Sequence, residues 1–444
     1  MKLADKARAL KASITEKNQT RKQLRGPAHL QYAIADSITL LDRNAWTEIT
    51  GNRCFFMSPG YLETMEQVLP LNLTPRYALI YNSTGSGPDH KRQPVAAIYM
   101  QIAEISVSQV RQVRPQKSVS GAVASTTSRA KKWLPTLNKL AGDVTRNIKE
   151  NIKEKTTQRV LTCGNLLTFG QHGLAFAEGC DPKLAWHGVA EVLYRIRQAE
   201  KLVGKTHFVM IKDLHAPFTQ QALHLENLSY RHVETEPNMV LTLRDEWKSY
   251  DDYLASLASK YRANIKNGVF KPIEETGCTV EHVTGLAALQ SEFFALYKSV
   301  QMNADFRPIE LRPEYFAALE RAAGDGFRCS VVKRNQQILG FLISVADGDT
   351  AIAYHIGFDR AAAAELPIYL RLLHAGVADA ISLGCKSVSF GRTALEPKAA
   401  LGAKPQAFGV LLRHRQPVLN KLIKRLLLGI EHDDAPERNP FKKQ

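Results

Sequence analysis

The chain has 444 residues, 44% hydrophobic and 23% charged, close to ordinary globular usage, so global disorder is excluded. Fifty-nine Lys and Arg against 43 Asp and Glu give a formal net charge of +16, which suits RNA, an anionic membrane surface or an acidic small molecule. No apolar run approaches the ~20 residues that span a bilayer, and no apolar core of a secretory signal follows the basic N-terminus.

In chain order, residues 1–25 read as a basic helix or frayed tail with a net charge of +6. Folded sequence is expected from about Tyr32. Pro59-Gly60 opens a helix through Tyr61, Leu62, Met65, Val68 and Leu69. Arg76–Tyr81 and Pro94–Ile105 read as strands around a Gly/Ser/Asp-rich loop. Residues 111–158 break the pattern: a Ser/Thr/Ala-rich stretch leads into a lysine-laced amphipathic repeat from Trp133 to Ile152. This segment reads as an insertion. Strands follow at Arg159–Phe169, Thr206–Ile211 and Met239–Leu243, with a helix at Trp186–Lys201. Helices are predicted around Tyr250–Asn267, Ala287–Met302 and Pro313–Ala323. Phe327–Lys333 and Ile338–Asp347 form a hairpin, Thr350–Phe358 is a third strand, and Pro367–Leu383 is a helix. Lys386–Phe390 is a strand and Pro417–Ile430 a basic terminal helix.

The order of elements repeats. Pro59-x-Tyr61 and Pro313-x-Tyr315 each open a helix that leads to a hairpin, a strand, a loop, a helix ending near a glycine, and a last strand. The expected division is a basic leader at 1–30 and a first lobe at 31–244 carrying the insertion 111–158. A second lobe follows at 245–410, then a basic amphipathic helix and tail at 411–444. Three basic segments hold the excess charge: residues 111–160 carry +9 and 411–444 carry +4, leaving the remaining body near −3.

The run LASLASKYRANIK (254–266), the run FGRTALEPK (390–398) and the following LGAKP (401–405) resemble segments of the GNAT acyltransferase superfamily, especially its two-lobed Fem-type members. The first-half run CGNLLTFGQHG (163–173) resembles a segment of two-lobed relatives. The resemblance covers roughly residues 30–415. It implies an α/β (α+β) fold of tandem GNAT-like lobes, each a mixed, mostly antiparallel sheet flanked by helices. It also implies transfer of an acyl or aminoacyl group to an amine. One departure matters. Where GNAT enzymes hold a pyrophosphate on a glycine-rich turn, this chain has RAAAAELPIY (360–369), with no glycine and with Glu365 in place to repel phosphate.

Acyl transfer to an amine needs a proton acceptor for the amine, donors for the oxyanion and a proton for the leaving group. His355, near the end of the third strand of the second lobe, is the candidate base; the ordinary alternative is a solvent-facing or core histidine. Glu396 is a second candidate proton acceptor, or the partner of Arg392 in a turn-fixing ion pair. Tyr369 and Tyr354 are candidate acids for the leaving group, against plain packing roles. Gly391 and Arg392 follow the last strand, where α/β layers commonly carry function, and Arg392 and Lys398 are candidate anion binders. Lys260 and Asn264, one helical turn apart, are candidates to clamp a phosphate or carboxylate, with Arg262 beside them; otherwise they are a solvated basic face. In the first lobe, which reads as non-catalytic, Asn165, His172, Asp213 and His215 are expected to be structural or substrate-lining.

The six scattered cysteines contain no C-x-x-C pair, so no metal site or disulfide framework is expected and a reducing cytoplasm is inferred. No H-E-x-x-H, P-loop or nucleophile elbow occurs. The resulting expectation is an N-acyltransferase using acyl-coenzyme A or an acyl carrier protein as co-substrate, with no permanently bound cofactor. The alternatives are an aminoacyl-tRNA-dependent transferase, and a degenerate non-catalytic relative that binds membrane or RNA. Peripheral contact with the inner membrane face through the basic helices is expected, and DNA binding is not.

Overall fold

The computed structural model describes residues 15–16, 18–51, 54–82, 92–106, 157–302, 309–427, 436 and 438–442. The predicted insertion 111–158 therefore lies outside the described residues, save its last two. So do the first fourteen residues of the basic leader, most of the predicted 82–93 loop, and the last three residues of the predicted terminal helix.

Two mixed sheets carry the chain. The first contains β1 (Leu30–Ala35), β2 (Leu73–Asn82), β3 (Gln93–Ser106), β4 (Thr157–Cys163), β5 (Leu174–Phe176), β6 (Thr206–Leu214) and β7 (Arg231–Glu234). The second contains β8 (Asn238–Thr242), β9 (Cys278–His282), β10 (Phe327–Arg334), β11 (Gln337–Asp347), β12 (Thr350–Phe358), β13 (Ser387–Ser389) and β14 (Lys404–Gln406). One more strand, β15 (Gly409–His414), returns to the first sheet. The sheet orders are β1-β2-β3-β4-β6-β15-β7, with β5 on the edge of β3, and β9-β10-β11-β12-β13-β8-β14. The two orders are the same, strand for strand, with one parallel step in each: β4 beside β6, and β12 beside β13.

The position between the last two neighbours is filled crosswise. β8, which follows the first lobe, sits in the second sheet, antiparallel to β13 and β14. β15, which follows the second lobe, sits in the first sheet, antiparallel to β6 and β7. The sequence-based boundaries at 244/245 and 410/411 need correcting here, because each lobe donates a strand to the other. The tail also crosses: Ala258 N–H donates to Pro440 O at 2.9 Å and Lys442 N–H to Ser256 O at 3.0 Å.

Local chemistry explains the helix starts. Pro59 and Pro182 occupy first turns, where no backbone N–H is missed, behind the capping side chains Ser58 and Asp181. Ser249 and Asp252 form a reciprocal capping box at Tyr250–Ser256. The helix predicted over 250–267 is instead broken at Leu257. There the backbone turns extended, Phe441 forms a β-bridge to Leu257, and a new helix runs over Ser259–Ile265.

The lobes share a core. Trp46, Phe56, Tyr61 and Tyr99 of the first pack with Phe293, Tyr315, Phe341 and Tyr354 of the second in one buried cluster. A polar clasp spans the same seam. His172 Nε2 lies 3.0 Å from Asp347 Oδ2, His172 Nδ1 lies 2.8 Å from Thr168 Oγ1, and Phe55 N–H donates to Asp347 Oδ1 at 2.6 Å.

Candidate active site

The sheets differ at their parallel step. In the first lobe β4 stays paired with β6 up to its last residue, Cys163 against Ile211. In the second lobe β12 pairs with β13 only over Thr350–Ile352, against Ser387–Ser389, and then parts from it. Residues 353–358 keep β11 on one side and leave the other edge open. A cavity of about 340 Å³ fills the gap.

Its walls come from both lobes. Ala353, Tyr354 and Ile356 of β12, Tyr369 and Leu373 of the following helix, and Gly391, Arg392 and Lys398 beyond β13 form one side. Thr168, Phe169, Lys212 and Asp213 of the first lobe close the other. The ionisable lining, tyrosines aside, is three cations and one carboxylate.

Asp213 is the hub. Its backbone takes a positive φ of 59°. Its side chain accepts from Gly170 N–H at 3.0 Å, from Lys212 Nζ at 2.6 Å and from the Arg392 guanidinium. Burial alone would raise its pKa, but Lys212 and Arg392 outweigh burial and hold it below the usual carboxylate range. Lys212 also donates to the carbonyls of Asn165 and Thr168 at 3.0 and 2.8 Å. Its stem crosses Gly164, where a Cβ would fall 2.3 Å from Lys212 Cγ. Arg392 lies over the Phe408 ring at 5.2 Å and its buried Nε has no hydrogen-bond partner among the described residues. Buried donors are almost always paired, so this N–H is free to meet a ligand acceptor.

Lys398 is 3% exposed, and burial pushes its pKa down to about 8, partly offset by Glu236. Burial pushes the Tyr369 hydroxyl up to about 12. Tyr354 OH lies 2.7 Å from Tyr315 OH, and burial raises its pKa well above the ordinary value. Both phenols therefore stay protonated near neutrality.

The structure thus brings Tyr354, Tyr369, Gly391, Arg392 and Lys398 around one cavity. The other predicted residues lie elsewhere. Tyr354 is the extra residue of a β-bulge, because Ile343 pairs with His355 while Ser344 pairs with Ala353. The bulge turns His355 away from the cavity, among the rings of Tyr354, Tyr315, Phe316 and Tyr297, with centroids 4.0, 5.3, 5.6 and 6.3 Å away. Burial pushes its pKa down to about 3, and its Nε2 has no partner among the described residues. An imidazole so reluctant to take a proton makes a poor base. Glu396 is exposed and paired with Arg438. Lys260 and Asn264 are exposed, outside the cavity, and Arg262 instead caps the preceding helix, donating to Leu257 O at 3.3 Å.

Lys212 and Phe169 carried no signal in the sequence, because they reach the cavity only through lobe packing. A larger recess of about 580 Å³ lies in the first lobe beside Arg413, Tyr230 and Glu191, away from the open strand edge. Cys54, His172 and Asp347 hold one ligand-type atom each within 4.8 Å of one another, the grouping best able to take a metal ion among the described residues. Their existing hydrogen bonds already account for His172 and Asp347.

Residues 259–399 match the family model described as acetyltransferase (GNAT) domain. No curated protein matches the chain. Similar solved structures include FemX, at 13% identity and TM-score 0.47 over 83% of this chain and 94% of that one. A tandem GNAT protein from the clavulanic acid biosynthesis pathway is 10% identical, with TM-score 0.46 over 87% and 99%. A GCN5-related N-acetyltransferase from Sphaerobacter thermophilus is 12% identical, with TM-score 0.39 over 87% and 96%. The family match spans the Ser259–Ile265 helix, the open strand edge and the Arg392–Lys398 wall, so the second lobe carries the stretch that resembles an acetyltransferase (GNAT) domain, and the first sheet repeats its strand order.

Proposed function

We propose that the second lobe is an N-acyltransferase that moves an acyl group from a thioester to an amine in the Arg392 cavity. The parting of β12 from β13 carries this reading. An open strand edge offers backbone N–H and C=O groups to an extended, amide-bearing arm, which binds as an added strand. The thioester carbonyl then lies over the bulge at Tyr354, with Arg392 and Lys398 nearby.

The amine nitrogen attacks the carbonyl carbon. The C–N bond forms, and the C–S bond breaks from the tetrahedral intermediate. Asp213 is held ionised by its two cations and is a weak base. Lys398, titrating near 8, is the better match to an amine that must lose a proton near neutrality. Tyr369 returns a proton to the departing thiolate.

A second reading of the donor rests on the turn before the Ile368–Ser382 helix. Asp359 accepts from Ala362 N–H at 2.9 Å and caps a short helix, Arg360–Glu365. That capping occupies a backbone donor which a pyrophosphate would need. It favours a carrier protein or a charged tRNA over coenzyme A.

The test offers the full chain acyl-coenzyme A, acyl-pantetheine and aminoacyl-tRNA donors with a panel of amines. Release of free thiol or deacylated tRNA is followed. Arg392→Ala and Lys398→Arg are each expected to lower the rate about 10²- to 10⁴-fold. Turnover with no donor would count against the enzyme reading, and an unimpaired Lys398→Arg would remove Lys398 as the base.

A further inference from the structure

At the far end of β6 from Asp213, about 23 Å away along the strand, the first lobe carries a second basic recess, of about 310 Å³. Arg197, Lys201, Lys205 and Arg415 line it, and no acidic residue does. None of the four forms an ion pair among the described residues, whereas the neighbouring Arg195 and Arg159 are paired with Glu191 and Glu200. Thr206, 5% exposed, also lines the recess, and its buried hydroxyl oxygen has no partner among the described residues. The Pro417–Leu427 helix begins at the same place, so its positive end adds to the four cations. The nearby His207 feels the field: after burial, Arg415 is the largest cause of its lowered pKa.

The rim is apolar. Leu202 is 97% exposed and Val203 75%, between Lys201 and Lys205. Directly after Pro417, Val418 is 78% exposed, with Leu419 and Leu422 also exposed. Asn420 turns the opposite side of that helix inward, donating to Ser229 O at 2.8 Å. Apolar side chains ringing an uncompensated basic recess match one partner, a bilayer that presents phosphate at its surface and hydrocarbon just beneath.

We propose that this face docks the protein on an anionic phospholipid membrane, with a headgroup phosphate in the recess and the Leu202–Val203 and Val418–Leu422 side chains in the interfacial layer. RNA fits the cations but gains nothing from the apolar rim.

The experiment is co-sedimentation of the full chain with phosphatidylglycerol/phosphatidylcholine vesicles, with pure phosphatidylcholine vesicles and with tRNA as comparison arms. Two variants accompany it, Lys201→Gln/Lys205→Gln and Leu202→Ser/Val203→Ser, each checked for an unchanged thermal midpoint. The parent should bind the anionic vesicles and not the neutral ones. The lysine pair should weaken that binding roughly 30-fold, and the apolar pair at least about tenfold. Parental binding by both variants would overturn the proposal, because attachment would then run through the other basic segments. So would a failure to bind at low salt, or a surface on which tRNA binding needs the lysines and vesicle binding ignores Leu202 and Val203.

Discussion

Lys398 keeps an ammonium where water is largely absent, and the fold is weaker for it. A lysine that titrates near 8 instead of 10.5 lowers stability by about 3 kcal/mol at pH 7. The unfolded chain holds that proton up to 10.5 and the folded chain only to about 8, so stability should rise with pH across this window. Lys398→Met should raise the thermal midpoint at pH 7, flatten that rise and abolish turnover; chemical denaturation at pH 7 and pH 10 measures it. His355 makes the opposite case, a residue expected in catalysis that the bulge removed from the cavity. His355→Phe should leave turnover within about twofold and add about 1–3 kcal/mol, since a buried nitrogen without a partner disappears. The parent should lose stability as pH falls from 6.5 toward 3, where the unfolded imidazole gains a proton that the folded one refuses, and the variant should lose less. Strict alternation along Thr350–Phe358 cannot register an extra residue at Tyr354, so the face of His355 was not legible in the sequence. Arg392 was legible because it follows a strand end, and Lys398 because it lies in the FGRTALEPK run just beyond, on the Leu395–Ala400 helix. Lys212 was not, since its contact with Arg392 through Asp213 depends on how two distant segments pack.

Elements were read well where apolar periodicity is strong. Thr350–Phe358, the hairpin before it and the Ile368–Ser382 helix lie close to expectation. The strands that were missed, β1, β5, β7, β9, β14 and β15, are short, three to six residues each. β9 and β14 are mostly exposed and β7 is mostly half-buried, so neighbouring strands, not an apolar pattern of their own, make them strands. The break at Leu257 came from a tail segment nearly two hundred residues away, which no local propensity encodes. At the cavity, Gly391 holds β13 to the Arg392 turn with φ of 77°, and an added Cβ would lie 3.2 Å from the Phe169 ring of the other lobe. Gly391→Ala should therefore cost about 1–3 kcal/mol and displace Arg392. Denaturation curves read the first effect, and a raised KM the second.

At the scale of the molecule, the shared aromatic core and the crossed strands make the two lobes one cooperative unit. A protease site engineered at 235–237, between β7 and β8, should yield two fragments that co-elute on size exclusion after cleavage. Fragments that separate without denaturant would show that β8, β15 and the core of Phe56, Tyr61, Tyr315 and Phe341 do not hold the lobes together. The crossing also sets an order for making the protein. As the nascent chain leaves the ribosome, β6 and β7 emerge with the slot between them empty, and its occupant begins only at Gly409. At ~5–20 residues per second that wait is on the order of 10–35 s. Through that interval the first sheet offers a bare edge and an unfilled aromatic face, the kind of surface on which a nascent chain is most exposed to wrong pairing.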